Sequence, residues 1–515
     1  MAAKLTATLS SYPVRTPSST KHRAGTLQID SRLKPALISV LLSVVLLIPC
    51  FWHPRIEAGD LASHVYNAWL SSLVQQGRAP GLWIAPQNNN VLFDMLLLRL
   101  GALFGFGTAE TIAVSIAVLG FFWSAFVLAF CVNRRACWFV VPLLAILSYG
   151  WTMEMGFFNF YLSLAVSFLA LAIIWRAEGI RTLYALLLFP VVWLAHPLGL
   201  AWLCAAGAYV AIARRMAHMR WALAAASLML VLTLRFFLAS HFPVLWPTQV
   251  VWPGMHLYEF TGSAQLRLGS RYWFLPWALL LVAIICIVLS NVEHGRGGDT
   301  ENGSRSQWLA PQLFVVSMIA LMLLPDGIRL PQYPDAVLFI CLRFTLAVGV
   351  LGCCALGALK GKSRRIFGAS TTAIALAFFS LLYEDTGKTF AMERQAQTLI
   401  NHVPQGARII STLAPLSGSG VFSLHVVARA CIQRCFVIDN YEAGSGQFRL
   451  RATAGNRILA ADTRSTNEMM MGSYDVKPED LPLWQIFQCG PSDIDLCLRP
   501  LRAGPMSLPQ SVRVR

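Results

Sequence analysis

A short stretch just past the first long apolar run gathers the side chains best suited to chemistry: Glu57-Ala58-Gly59-Asp60-Leu61-Ala62-Ser63-His64-Val65-Tyr66. A helix starting at Leu61 puts Asp60 and His64 four positions apart, on one face. A carboxylate beside an imidazole can hold a divalent metal such as Mg or Mn, or work as a base. The same residues also allow a structural reading. Gly59-Asp60 ahead of an apolar-periodic run is a helix-start signal, in which the Asp60 side chain caps the first turn. The two roles are compatible.

Other candidates are scattered. Glu154 is the only charged residue between Arg135 and Arg176. A lone acid beside a membrane is a functional candidate; the alternative is a loop charge facing water. Arg78, Arg267 and Arg271 can grip a phosphate, or serve as snorkelling anchors. His196, followed by Pro197, stands at a helix end, where it either contacts a site or simply packs. Arg235 and Arg343 fall near apolar runs, so each should face a partner or a cavity. Trp69, Trp83, Trp246, Trp252 and Trp273 read as interface-belt residues, one or two of them free to stack on a sugar.

The elements that must position these groups are membrane helices. Apolar runs cover residues 33–52, 110–132, 137–150, 157–175, 182–196, 198–213, 221–239, 272–290, 309–324, 336–357 and 366–383, or about eleven spans. With the N-terminus inside, nineteen Lys and Arg fall on inner segments and six on outer ones, a strong asymmetry. Residues 91–106 are apolar but interrupted by Asp94 and Arg99, and counting them as a span would put Arg134-Arg135 outside. They read instead as a helix lying at the outer surface, within a first outer loop of residues 53–109. Residues 1–32, rich in Ser, Thr, Pro and basic residues, read as a disordered cytoplasmic tail. From about 384 the charges return. Ala407–Thr412 and Cys435–Asp439 read as buried strands, with a helix over 419–430 between them, giving a small α/β domain over 384–515 outside the membrane.

Composition agrees. The chain has 515 residues, 56% hydrophobic and 13% charged, against about a quarter charged in soluble domains. A formal charge of +16 invites a nucleic-acid reading. The basic residues, however, sit in short connectors between apolar runs, where they set topology and meet lipid head groups, so no nucleic-acid partner is expected. Eight of the twelve cysteines lie in or beside apolar runs. Cys431, Cys435, Cys489 and Cys497 remain, and fit two disulfides in any of three pairings, free thiols, or a zinc site, although no CxxC spacing occurs. No P-loop, GxSxG, HExxH or GxGxxG motif is present, which argues against soluble-nucleotide chemistry.

Three features together resemble the type C glycosyltransferase superfamily: Gly59-Asp60-Leu61-Ala62-Ser63-His64 in the first outer loop, Glu154 ahead of Gly156-Phe157-Phe158-Asn159-Phe160-Tyr161-Leu162-Ser163-Leu164, and His196-Pro197 at an outer helix end. Where that superfamily commonly has paired first-loop acids, this chain has Glu57 and Asp60. The resemblance implies a multi-pass enzyme of the bacterial cytoplasmic membrane, with its N-terminus cytoplasmic. Such an enzyme moves a sugar from a polyprenyl-phosphate carrier to an acceptor glycan, lipid or protein on the extracytoplasmic face. It makes Asp60 and Glu154 the catalytic acids, His64, Arg78, His196, Arg267 and Arg271 substrate-binding residues, and Asp60 with His64 the holders of any metal. A transporter or flippase, or a non-enzymatic scaffold, is the competing reading.

Overall fold

A computed structural model describes residues 33–241, 249–252, 260–296, 308–329, 337–416, 423–490 and 492–506. The N-terminal tail 1–32, Trp246 and residues 297–307 between two of the apolar runs lie outside these residues. The chain divides into a short unit, residues 1–45, and a larger one from Leu46 onward. In the first, the described part is helical from Leu33.

The protein is mostly helical, about 67%. Six described helices are long and apolar enough to cross a membrane: Phe106–Asn133, Phe158–Arg176, Pro197–Arg215, Ala217–His241, Ser270–Glu293 and Gly361–Ile400. Five shorter apolar helical segments accompany them: Ala36–Cys50, Trp138–Glu154, Gly179–Ala195, Leu309–Leu323 and Ile340–Leu356. The apolar runs read from the sequence therefore fold as helices, but only some have spanning length. Local sequence explains several ends. Arg134 leaves the Phe106–Asn133 helix in the left-handed conformation, at φ 55°, and Pro197 opens its helix where a missing N–H does no harm.

The segment expected at the outer surface is the helix Leu92–Phe104. At 13 residues it reaches about 20 Å, short of a hydrocarbon core of about 30 Å. Gly105, at φ 79°, turns it directly into the Phe106–Asn133 helix, four residues earlier than the apolar run suggested.

The clearest departure from the expected layout is at residue 384. Gly361–Ile400 is one helix of 40 residues, with no break there. Its last turns enter the core of the C-terminal region. Met392, Ala396 and Ile400 pack with Ile409, Val427 and Ile486, and with Tyr66, Trp69, Leu70 and Leu73 of the helix Leu61–Gln75. The sheet there runs in the order Phe436–Val437, Arg408–Thr412, Leu483–Gln488, Leu496–Pro500. The first two junctions are parallel and the last antiparallel. The expected strands are present, as is a helix over Val426–Ala430; the segment 417–422 lies outside the described residues. The loop after the first apolar run contributes a strand of its own: Leu82–Ile84 pairs antiparallel with Leu450–Ala452, Trp83 opposite Arg451. Cys431 is bonded to Cys435 and Cys489 to Cys497.

Candidate active site

Asp60 precedes the helix Leu61–Gln75, as its sequence signal indicates, but its side chain makes no capping hydrogen bond. The carboxylate turns instead toward the C-terminal region, where Oδ1 lies 3.5 Å from Nε2 of His425. Backbone holds it there. The amides of Gly59 and Asp60 donate to the carbonyls of Glu154 and Met155, at 2.7 and 3.1 Å. Only glycine permits this approach. A Cβ on Gly59 would stand 2.7 Å from the Met155 carbonyl oxygen, and one on Gly156 would stand 2.4 Å from the Asp60 nitrogen. The two sequence motifs are thus interlocked main chain to main chain.

Their carboxyl groups have different surroundings. Glu154 is buried, and its Oε2 has no hydrogen-bond partner among the described residues. Its electrostatic neighbour is Asp385. Asp60, with its side chain 30% exposed, instead has Arg343 and Tyr441 as electrostatic neighbours.

His64 shares the helix with Asp60 but takes a different partner. Its Nδ1–H donates to Asp94 Oδ1 at 2.7 Å. Asn159 fixes that carboxylate in turn, its Nδ2 donating to Oδ2 at 2.9 Å, while its own Oδ1 accepts from the Phe93 amide. Burial opposes charge on His64, but Asp94, helped by Glu442 and Asp60, raises the imidazole to about 9. It is an imidazolium at neutral pH.

The C-terminal region closes the nest. The Ser63 hydroxyl donates to Glu442 Oε1 at 3.1 Å. Asn440 Nδ2 donates to Asn67, and the Val437 amide to the Tyr66 hydroxyl. Positions 63, 66 and 67 lie on one helical face, so one side of this helix is stitched to residues 437–442. Burial pushes Glu442 up to about 7, with His64 pulling the other way. Burial, then Asp60, raises the Tyr441 phenol, which stays protonated. Arg343 lays its guanidinium over the Phe157 ring at 3.8 Å, with Asp60 and Asp326 as its acidic neighbours.

Behind the nest lies a second cluster. The Arg429 guanidinium is almost wholly buried and binds Glu57, Glu110 and Glu393. Its Nη1 also donates to the Ile56 carbonyl at 2.7 Å. Burial, reinforced by Glu393 and Glu110 against the pull of Arg429, raises Glu57 well above the carboxylate range.

The remaining candidates sit elsewhere. Arg271 pairs with Glu384 and with Asp385, the latter at 3.0 Å. His196 is buried and caps its own helix, its Nδ1 accepting from the Leu198 amide. Arg267 is exposed. Arg78 is exposed at the far end of the Leu61–Gln75 helix, beside a separate cleft. Arg235 lies over the Trp252 ring at 4.2 Å. Sequence reasoning missed Asp94, Asn159, His425, Tyr441 and Glu442 as site residues. Of these, Asp94 carried a signal, as an acid in an otherwise apolar run.

His64 Nδ1 is bonded to Asp94, Asp60 lies by His425, and among the described residues no group of three or more His, Cys, Asp or Glu is placed to hold a metal ion. The arrangement offers a part-exposed Asp60 carboxylate 3.5 Å from His425, with Arg343 and His64 among the charges that interact with it electrostatically. No protein-family model matches the sequence, and no curated protein or solved structure matches it either.

Proposed function

We propose that this chain is a membrane glycosyltransferase of about eleven spans, taking a sugar from a polyprenyl-phosphate carrier to an acceptor glycan, lipid or protein at the extracytoplasmic face of the bacterial cytoplasmic membrane. The observation that carries the reading is the Asp60 carboxylate. It stands at a helix start without capping it, stays part exposed, and has Arg343 as an electrostatic neighbour.

In this mechanism Asp60 accepts the proton of the acceptor hydroxyl as that oxygen bonds to the anomeric carbon. The bond from the anomeric carbon to the carrier phosphate breaks with its electron pair, leaving a lipid phosphate. Arg343 and the His64 imidazolium supply the positive charge that stabilises this leaving group. No step requires a metal. Asp94 and Asn159 hold the imidazole, and Glu442 and Tyr441 bring the C-terminal region to the same nest. A transporter would place its charged site near the bilayer midplane between repeated halves. The sequence has no evident repeat.

The test is Asp60→Asn. Since Asp60 makes no capping bond, the change removes charge and basicity without removing a cap. Membrane abundance and thermal stability should match wild type, while sugar transfer falls on the order of 10²-fold or more. Full transfer activity in Asp60→Asn would end the reading.

A further inference from the structure

At the far end of the Leu61–Gln75 helix from Asp60, a cleft of about 510 Å³ opens between that helix and the C-terminal region. Trp69 and Phe436 form its apolar side, their rings stacked at 5.8 Å between centroids. The polar groups around it are the guanidinium groups of Arg78 and Arg434, the carboxamides of Gln76, Gln405 and Gln433, and the Ser72 hydroxyl, with no carboxylate among the lining residues.

Three details mark this as more than a surface dent. First, the cations keep unused donors. Among the described residues Arg78 gives only Nη1, to Gln76 at 3.3 Å. Arg434 gives Nε and Nη2 to the carbonyls of Ile400, Asn401 and Val403, which fixes its position, while Nη1 has no partner among the described residues. Second, one wall is a five-residue loop closed by the Cys431–Cys435 disulfide. Third, within that loop Gln433 adopts φ 66°, a conformation glycine takes freely and glutamine does not. Strain of this kind concentrates where a side chain must be presented to a ligand. The Gln433 carbonyl is tied down by Gln405 Nε2 at 3.1 Å, so the rim is fixed in advance.

We propose that this cleft binds an anionic saccharide: a hydroxyl-rich ring bearing a carboxylate or a phosphate. Planar guanidinium donors match either anion in a forked geometry. Carboxamides both donate to and accept from ring hydroxyls. The Trp69–Phe436 side takes the apolar edge of the ring, the usual division of labour in a small-ligand pocket. The absence of carboxylates from the lining removes the repulsion that would disfavour such a ligand. The proposal does not depend on the transferase reading, because none of the nest residues line the cleft.

Calorimetry on the full-length protein in detergent tests it with four probes: a glucuronate-containing disaccharide, glucose 1-phosphate, inorganic phosphate and maltose. At least one charged sugar should bind with Kd near or below ~1 mM, about tenfold tighter than both maltose and inorganic phosphate. Which of the two charged sugars binds identifies the source of the anion. Arg78→Gln should weaken that binding about tenfold with thermal stability unchanged, since Arg78 is exposed and holds only Gln76. Asp60→Asn should bind as wild type does. Gln433→Gly, which relieves the backbone strain, should fold normally and bind more weakly. The proposal is overturned if no charged sugar binds up to ~10 mM, if maltose or phosphate alone binds as tightly, if Arg78→Gln has no effect, or if Asp60→Asn abolishes binding and so places the ligand in the nest.

Discussion

Arg429 and Glu57 show how much a single buried charge can decide. Arg429 answers three carboxylates from three separate stretches of chain. Removing it leaves buried acids without a counter-charge, so Arg429→Ala should cost about 3–5 kcal/mol. Burial favours the protonated form of Glu57, and Glu57→Gln is a nearly isosteric mimic of that form, so it should change stability by less than about 1 kcal/mol. Thermal unfolding of the two variants in detergent checks both figures. A loss in Glu57→Gln as large as that in Arg429→Ala would mean that Glu57 is ionised. The sequence showed Glu57, Asp60 and His64 as a group because they are neighbours in the chain. It could not show their partners: Asp60 meets His425, and Glu57 meets Arg429, 372 residues away. Spacing along a helix reports shared faces, but it carries no information about which distant segment a face will meet.

Among the elements, the constraint that bears on the site is the contact between the turn before Leu61 and the turn after Glu154. Gly59→Ala would press a methyl group against main-chain atoms that cannot swing aside, and Gly156→Ala adds a left-handed backbone at φ 83°. Each should destabilise by about 1–3 kcal/mol and disturb the placement of Asp60. Gly120→Ala, whose Cβ would meet nothing within 4 Å, is the control and should be neutral or slightly stabilising. Unfolding midpoints of the three variants decide the matter; equal behaviour would remove the interlock from the account of the site. The apolar helices were legible because hydrophobic runs of this length have few other folds. The boundary at 384 was not a boundary, because charge returns there on a helix that continues. Glu384, Asp385, Lys388, Glu393 and Arg394 change its polarity, and no proline occurs until Pro404.

At the scale of the molecule, the C-terminal region is not a separable domain. Its core includes Tyr66, Trp69, Leu70 and Leu73, and its strand Leu450–Ala452 pairs with Leu82–Ile84. Residues 384–515 expressed alone should therefore lack a fixed tertiary structure, visible as collapsed amide dispersion in NMR spectra. Co-expression with residues 46–383 should restore it. A well-dispersed spectrum from the isolated piece would show that the shared core is dispensable. The α/β character of the region was readable from its buried strands. Its dependence on the helix Leu61–Gln75 was not, since that helix looks like an ordinary amphipathic segment until its partner is known.

The pairing of Trp83 with Arg451 also sets a timetable. At ribosomal speeds of 5–20 residues per second, the strand at residue 84 waits roughly 20–70 s for its partner at residue 450 to be made. Throughout that interval the aromatic face of the Leu61–Gln75 helix has nothing to bury it. A nascent chain of this protein thus carries this apolar face uncovered by its C-terminal partner for most of its synthesis. A chaperone that shields that surface, or a protease that tests it, has its opportunity before the last quarter of the protein exists.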